Sequence, residues 1–418
     1  MTPSSEKHPN ADVRMRGFVE RVTVETAMAW LDNQLDAAAS VRAELVPLCE
    51  ATGRVLAEDV CSQVNVPDFQ RAMMDGFAVR AADIHGASPK NPVTLQVVGE
   101  CFPGQAFEGE VTSGIAVRIM TGAPLPPGVD AVLPVEKTEY TETEVQALVE
   151  LAAGKNFGTI GEDIRIGDVV LSSGRVLRPQ DIGVLSSIGQ AEVSVWRKPQ
   201  VRIVVTGDEL LPAGSMPEGC QIVDSNGPML EALVARDGGE PNHPGIVPDD
   251  RDAILAALRE EADVILCSGG SSVGQEDHVP TLLAEHGELE IHGIAMRPAG
   301  PLGMGQIDGK PVVLLPGNPV ACLWGYDLFA GRAIRHLARR PTDWPYQQVE
   351  GVLTQDIKSP EGRLDYIRIH FNDGQVTPVK ASGASVLSST TRADGFVVVP
   401  TESEVFAADS TVEVFLYG

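Results

Sequence analysis

Aromatic side chains make up only 5% of the 418 residues, Lys and Arg number 32 against 58 Asp and Glu, and no C-x-x-C pair occurs. Each scarcity argues against a class of protein. Few aromatics beside 42 glycines and 30 prolines speak against a helical bundle and for many turns and short strands. A net charge of −26 repels nucleic acid and anionic lipid over most of the surface, so no nucleic-acid or membrane partner is expected. The cysteines Cys49, Cys61, Cys101, Cys220, Cys267 and Cys322 are widely scattered, which suits buried thiols in a reducing compartment rather than a zinc site. The apolar stretch from Val312 to Ala330 is broken by Pro316, Pro319 and Asp327 and reads as a buried strand, loop and helix, not a membrane span. The first residues are polar and lack an apolar signal region, so residues 1–16 are expected to be a disordered tail on a soluble, cytoplasmic protein.

A chain this long exceeds what one core supports, and several domains follow. Ala27, Trp30, Leu31 and Leu35 recur at helical spacing from Thr23 to Leu35, and a second short helix or turn is expected to lead to Pro47. Short strand-like runs between Pro/Gly turns fill residues 54–151 and predict a small β-rich domain. Residues 17–53 and 152–198 are read as a discontinuous helical/β linking domain, with Lys198-Pro199 as a hinge. Beyond it, strands at Val201–Val205, Gly245–Val247, Asp263–Cys267 and Val312–Leu315 alternate with helices at Asn226–Arg236 and Arg251–Glu261. That alternation predicts a doubly wound parallel sheet over 199–342. Residues 343–418 turn strand-like again and predict a C-terminal β domain, so the fold class is multidomain α/β plus β.

In open parallel sheets ligands bind beyond the carboxyl ends of the strands, which directs attention to four loops. Thr206-Gly207-Asp208-Glu209 and Pro248-Asp249-Asp250 offer carboxylates; Ser268-Gly269-Gly270-Ser271-Ser272-Val273-Gly274 and Pro316-Gly317-Asn318-Pro319 offer backbone amides and hydroxyls. The division suits a phosphate cradled by amides while Glu209, Asp249 or Asp250, and Asp277 hold a hard divalent cation. Tight turns and helix caps would explain any one loop equally well, but all four together favour a site. No P-loop or dinucleotide fingerprint occurs. Gly270 to Gly274 matches G-x-S-x-G with Ser272 as nucleophile, yet polar residues continue to Pro280, whereas a nucleophile elbow enters its helix directly.

Upstream, Ala72-Met73-Met74-Asp75-Gly76 projects the Asp75 carboxylate beside apolar residues, although spacing alone also allows an ordinary Asp-Gly hairpin turn. Gly161-Glu162-Asp163-Ile164-Arg165 is, on composition, equally a loop with a local ion pair.

Taken in order, Ala72 to Ala78, Arg118 to Pro124 with Thr121, Gly161 to Ile164, Thr206 to Leu210, Asp224-Ser225-Asn226, Ser268 through Asp277 and Leu315 to Pro319 resemble the molybdopterin molybdotransferase family, related to the gephyrin E-domain, over nearly the whole chain. The resemblance implies a transferase of molybdenum cofactor biosynthesis that inserts molybdate into adenylylated molybdopterin with Mg2+ and releases AMP. It implies a homodimer whose site is shared between subunits, with contact to an upstream molybdopterin adenylyltransferase and downstream molybdoenzymes. Carried over, Asp75, Asp163, Glu209 and Asp277 are catalytic candidates, and Asp249 and Asp277 metal ligands. Thr121, Ser268, Gly269, Gly270, Ser272, Arg297, Pro316, Gly317 and Asn318 become substrate-binding candidates. Where family members commonly carry lysines, this chain has Gly293 and Gly300, leaving Arg297 as the strong cation of that segment, and Ala321 stands where serine is common. Those departures imply an alternative, a paralogue or pterin-binding scaffold with a changed oxyanion.

Overall fold

The computed structural model describes residues 21–37, 42–270, 278–379, 383–403 and 405–418. Two compact units divide the chain: one takes residues through Glu44, Gly53–Val55 and Val195–Gly418, the other Leu45–Thr52 and Leu56–Ser194. This division is coarser than the four expected domains.

Helix α1, Val24–Ala37, forms where the apolar spacing predicts it, with Thr23 Oγ1 accepting from Thr26 N at 3.2 Å at its start. Val24, Ala27, Leu31 and Leu35 share one face and are buried in the same core as Leu230, Val234 and Trp324, which places α1 with the central sheet. The helix or turn expected before Pro47 is instead a strand, Ala43–Pro47, followed by a four-residue helix, Leu48–Ala51. Val46 is its one buried residue, with Ala43, Glu44, Leu45 and Pro47 exposed, so burial leaves little helical or strand period for the sequence to show.

The smaller unit is built on a six-stranded sheet from β1 (Gly76–Val79), β2 (Val93–Cys101), β3 (Ile115–Ile119), β4 (Ala131–Pro134), β5 (Thr138–Tyr140) and β6 (Glu144–Ala147), in the order β4-β1-β3-β2-β6-β5. Gly76 is needed at the head of β1, because a Cβ there would lie 2.0 Å from the Leu133 carbonyl oxygen of the adjacent strand. The same unit holds α2 (Pro179–Ser187), whose Asp181 receives both Arg175 and Arg178 and whose carboxyl is thereby held far below the usual carboxylate range.

The central sheet runs through β7 (Gln200–Thr206), α3 (Asn226–Arg236), β8 (Glu240–Asn242), β9 (Ile246–Val247), α4 (Arg251–Arg259), β10 (Val264–Ser268), α5 (His278–His286), β11 (Glu288–His292), β12 (Gly303–Ile307) and β13 (Lys310–Leu315). Its order is β8-β7-β10-β13-β12-β11, with β9 also paired to β7. The pairings β7–β8, β7–β9, β7–β10 and β10–β13 are parallel, so the expected doubly wound core is present. It extends beyond that expectation: β12 and β11 continue the sheet antiparallel at one edge. Gly303 and Gly305 lower the strand signal of β12, and close packing is what they serve, since a Cβ on Gly305 would sit 2.0 Å from the Glu288 carbonyl oxygen.

After β13 the chain enters α6 (Pro319–Gly325), a π-helical turn at Tyr326–Ala330 and α7 (Gly331–Leu337). The π-turn carries Asp327 into the interior, where Arg236 Nη2 donates to it at 2.9 Å and Tyr346 Oη at 2.9 Å. Burial pushes the Asp327 carboxyl up against the opposing pull of Arg236. The C-terminal strands β14 (Gln347–Leu353), β15 (Leu364–Asn372), β16 (Gln375–Pro378), β17 (Gly395–Val399) and β18 (Thr411–Leu416) form one sheet that closes on itself through β15 and β17. Its aromatic side chains meet the helical layer, with Tyr366 stacked on Trp324 at 4.6 Å between ring centroids. No helix among the described residues is long and apolar enough to cross a membrane.

Candidate functional site

The carboxyl ends of β7, β9, β10 and β13 open on one cleft of about 660 Å³, and all four expected loops line it. That volume suits a small-molecule ligand. β7 delivers Thr206, Gly207 and Glu209; the turn after β9 delivers Asp249; β10 ends in Ser268-Gly269-Gly270; and β13 leads to Pro316-Gly317-Asn318.

The two carboxylate loops brace each other. Asp249 accepts from the Thr206 hydroxyl and, at 3.2 Å, from Asp208 N, while Asp249 N donates back to Asp208 Oδ1 at 3.2 Å. Asp250, the alternative metal candidate, instead caps α4 by accepting from Asp252 N at 3.1 Å and Ala253 N at 2.9 Å. Of the two neighbours, Asp249 lines the cleft and Asp250 does not.

The amide loops are shaped for close approach. Gly269 has φ +90°, and a Cβ there would lie 2.2 Å from Thr206 O, so any other residue would push β7 and β10 apart at the cleft floor. Ser268 is buried, and its hydroxyl accepts from Asn226 Nδ2 at 2.8 Å. Cys322 lies 3.9 Å from that hydroxyl, but burial pushes its thiol up to about 12, which keeps it protonated at neutral pH and unfit as a nucleophile. Asn318 precedes Pro319 at the start of α6 and leaves its side chain free of any cap bond, facing the cleft.

Among the described residues, the cleft lining contains Glu209, Asp224 and Asp249 and no Lys, Arg or His. Arg297, expected to meet an anion, does not line it; its guanidinium makes a two-pronged pair with Asp365, Nε to Oδ1 at 3.1 Å and Nη2 to the other oxygen. Among the described residues no three His, Cys, Asp or Glu side chains come together as a metal-binding group. The Glu209 and Asp249 carboxylates on neighbouring loops of the cleft nevertheless fit Mg2+, which takes one or two carboxylates and completes its shell with water and ligand oxygens. Asp277 and Ser272 lie outside the described residues. β10 ends at Ser268, and the described part of α5 begins at His278.

The remaining candidates belong to the smaller unit. Asp75 Oδ1 accepts from Thr121 N at 2.7 Å and Thr121 Oγ1 at 2.8 Å. These bonds hold the exposed Asp75 carboxyl below its ordinary value, the backbone donor contributing most, so it is ionised at neutral pH. Phe69, Met73 and Met74, which precede it in sequence, are exposed. Asp163 is exposed too, and Glu162 of that loop pairs not with a loop neighbour but with Arg71, 91 residues upstream, at 3.3 Å. The structure thus joins Asp75 to Thr121 and does not join Asp163 to either.

Asn226 and Asp224 line the cleft without having been singled out as site residues. Their Asp-Ser-Asn run reads as a helix cap, and Asp224 does cap, accepting from Asn226 N at 2.9 Å and Gly227 N at 3.0 Å. A polar residue that both starts a helix and ends next to two strand-end loops was the available signal.

Comparison with known proteins agrees with this architecture. Family profiles described as "MoeA N-terminal region (domain I and II)", "Probable molybdopterin binding domain" and "MoeA C-terminal region (domain IV)" match residues 22–189, 202–336 and 350–417. A molybdopterin molybdenumtransferase of Staphylococcus aureus (strain COL) is 32% identical over 403 residues, covering 94% of this chain and 95% of its own. One of Haemophilus influenzae is 34% identical over 380 residues, covering 89% and 93%. The crystal structure of the molybdopterin biosynthesis MoeA protein from Pyrococcus horikoshii OT3 superposes with a TM-score of 0.78 at 32% identity, covering 95% of this chain and 100% of that one. With relatives of this similarity along almost its entire length, the chain belongs to the molybdopterin molybdenumtransferase family, transferases of molybdenum cofactor biosynthesis.

Proposed function

We propose that this protein inserts molybdate into adenylylated molybdopterin in a Mg2+-dependent reaction that releases AMP. The observation that supports it is the convergence of four strand-end loops on one cleft, with backbone amides on one side and carboxylates on the other. Amides of Gly269, Gly270 and Gly317 orient the phosphate, the Ser268 hydroxyl sits beneath them, and Pro316 and Asn318 close the wall. Glu209 and Asp249, with Asp277, would hold Mg2+, whose chemistry when bound is to offset negative charge on the phosphoanhydride. A carboxylate of this set orients the attacking oxygen. Asp75 and Thr121 act from the second subunit of a homodimer, with Asp163 in support. The exposed Phe69, Met73 and Met74, which precede Asp75 in sequence, are the surface that a second copy would cover. The adenylyltransferase that makes the substrate and the molybdoenzymes that take the product are the expected protein partners, in the cytoplasm.

Release of AMP from adenylylated molybdopterin tests the reading. Wild-type protein with Mg2+ is expected to release AMP in a molybdate-dependent manner, and Glu209→Gln to slow release by about 100-fold. Molybdate-independent or absent release would sink the reading.

One observation favours a second reading. Arg297 is committed to Asp365 and, among the described residues, the cleft lining carries no cation, so a pterin-binding scaffold, or a paralogue for another oxyanion, would bind the pterin nucleotide without molybdate-dependent turnover.

A further inference from the structure

Asn226 opens α3 at the edge of the cleft and is only 6% exposed. Its side-chain nitrogen donates twice, to Ser268 Oγ at 2.8 Å and to Gly317 O at 2.8 Å. Those acceptors belong to the two amide-rich loops, so a single side chain ties the loop after β10 to the loop after β13. The two bonds also fix which way the amide faces. Turned over, it would set its own oxygen against the Gly317 carbonyl. In the orientation observed, Asn226 Oδ1 is buried and has no hydrogen-bond partner among the described residues. Its backbone N–H is already taken by Asp224 Oδ1 at 2.9 Å. The residue thus has its donors satisfied and its one side-chain acceptor empty, beside a ligand-sized cleft. Buried acceptors are nearly always paired, and one left empty calls for a donor from outside the fold.

The geometry points to Asn226 as a specificity-determining residue of the cleft, whose Oδ1 accepts a hydrogen bond from a sugar hydroxyl of the bound nucleotide. This rests on the nucleotide reading above. The chemical class follows from position: both phosphate-cradling loops are one hydrogen bond from Asn226, so the missing donor sits close to the phosphate. In a 5′-nucleotide the sugar hydroxyls are the donors nearest the phosphate, whereas the amino group of the base lies across the sugar. The bond therefore distinguishes a hydroxylated sugar from one that lacks its hydroxyls and is indifferent to the base.

The experiment is calorimetric titration of AMP, 2′,3′-dideoxy-AMP and IMP, with Mg2+, into the full-length wild type, Asn226→Ala and Asn226→Asp. Wild type is expected to bind AMP about tenfold more tightly than the dideoxy compound, the worth of one hydrogen bond of ordinary strength. Asn226→Ala is expected to bind AMP about tenfold more weakly and to lose the preference, with IMP following AMP throughout. Asn226→Asp keeps an oxygen at the acceptor position, so it retains the preference while binding both compounds more weakly; it carries the test if the alanine variant does not fold. A purely structural staple would weaken both ligands by the same factor and leave their ratio unchanged in Asn226→Ala, which overturns the proposal. Loss of preference in Asn226→Asp overturns it as well, and discrimination against IMP would assign the donor to the base. Wild type that binds none of the three defeats the nucleotide reading itself, and this proposal falls with it.

Discussion

Asp75 shows how a single exposed carboxylate is prepared without burial. Two hydrogen bonds from Thr121 favour its ionised form, and nothing nearby needs to be charged. Because the folded-state pKa is depressed, the stabilisation these bonds give is present above the ordinary aspartate value and is lost as pH falls through the lowered one. Thr121→Val removes the hydroxyl bond and leaves the stronger backbone bond. The Asp75 pKa, followed by carboxyl carbon NMR, is therefore expected to move part of the way back up. An unchanged value would mean the hydroxyl contributes nothing. At neutral pH the variant keeps its Asp75 ionised, so any loss of activity there reflects orientation rather than charge.

Among elements, the helical run α6–π-turn–α7 connects the cleft to the C-terminal strands. It starts at Asn318 beside the ligand loops and carries Asp327 into a buried cluster with Arg236, which ends α3, and Tyr346, which precedes β14. Asp237 joins the cluster through Arg335 at 3.0 Å and Tyr326 Oη at 3.0 Å. Replacing Asp327 by Ala removes one of the two buried carboxylates that hold Arg236, Asp237 remaining at 3.0 Å, and leaves the Tyr346 hydroxyl without its acceptor, at a cost of about 2 kcal/mol. A lower urea midpoint read by fluorescence of the nearby Trp324 and Trp344 checks it, and an unshifted midpoint would show that the cluster adds no net stability. The sequence conveyed the helix around Val320 and hid the cluster, because Asp327 inside an apolar run reads only as a break in a membrane span. Its partners come from about ninety residues upstream and about nineteen downstream, separations that no local pattern encodes.

At the scale of the whole molecule, a chain of net charge −26 exposes two apolar side chains, Met73 and Met74, directly before Asp75 in sequence. A homodimer in which that patch is covered predicts that Met73→Asp with Met74→Asp shifts sedimentation equilibrium toward the monomer and lowers turnover together. A wild type that sediments as a monomer at micromolar concentration would exclude the shared site. The parallel core and the four ligand loops were legible because strand–loop–helix alternation places every strand's carboxyl end on one edge. The antiparallel edge was not, since glycines in β12 serve packing and weaken the strand signal. Arg297 was expected at the cleft because it is the sole strong cation of its segment, and the fold gave it to Asp365 across a strand pairing between Met296–Arg297 and Leu364–Asp365.

The amino-acid sequence by itself determined the family, the α/β core and the loops that form the cleft, because these depend on residue type and short-range order. Only the tertiary structure decided that Asp249 faces the cleft while Asp250 caps a helix, that Arg297 is spent on an ion pair, and that Asn226 keeps one acceptor empty. Those outcomes depend on which distant groups arrive within 3 Å of each other, and hydrogen bonds are settled at that range and no longer one.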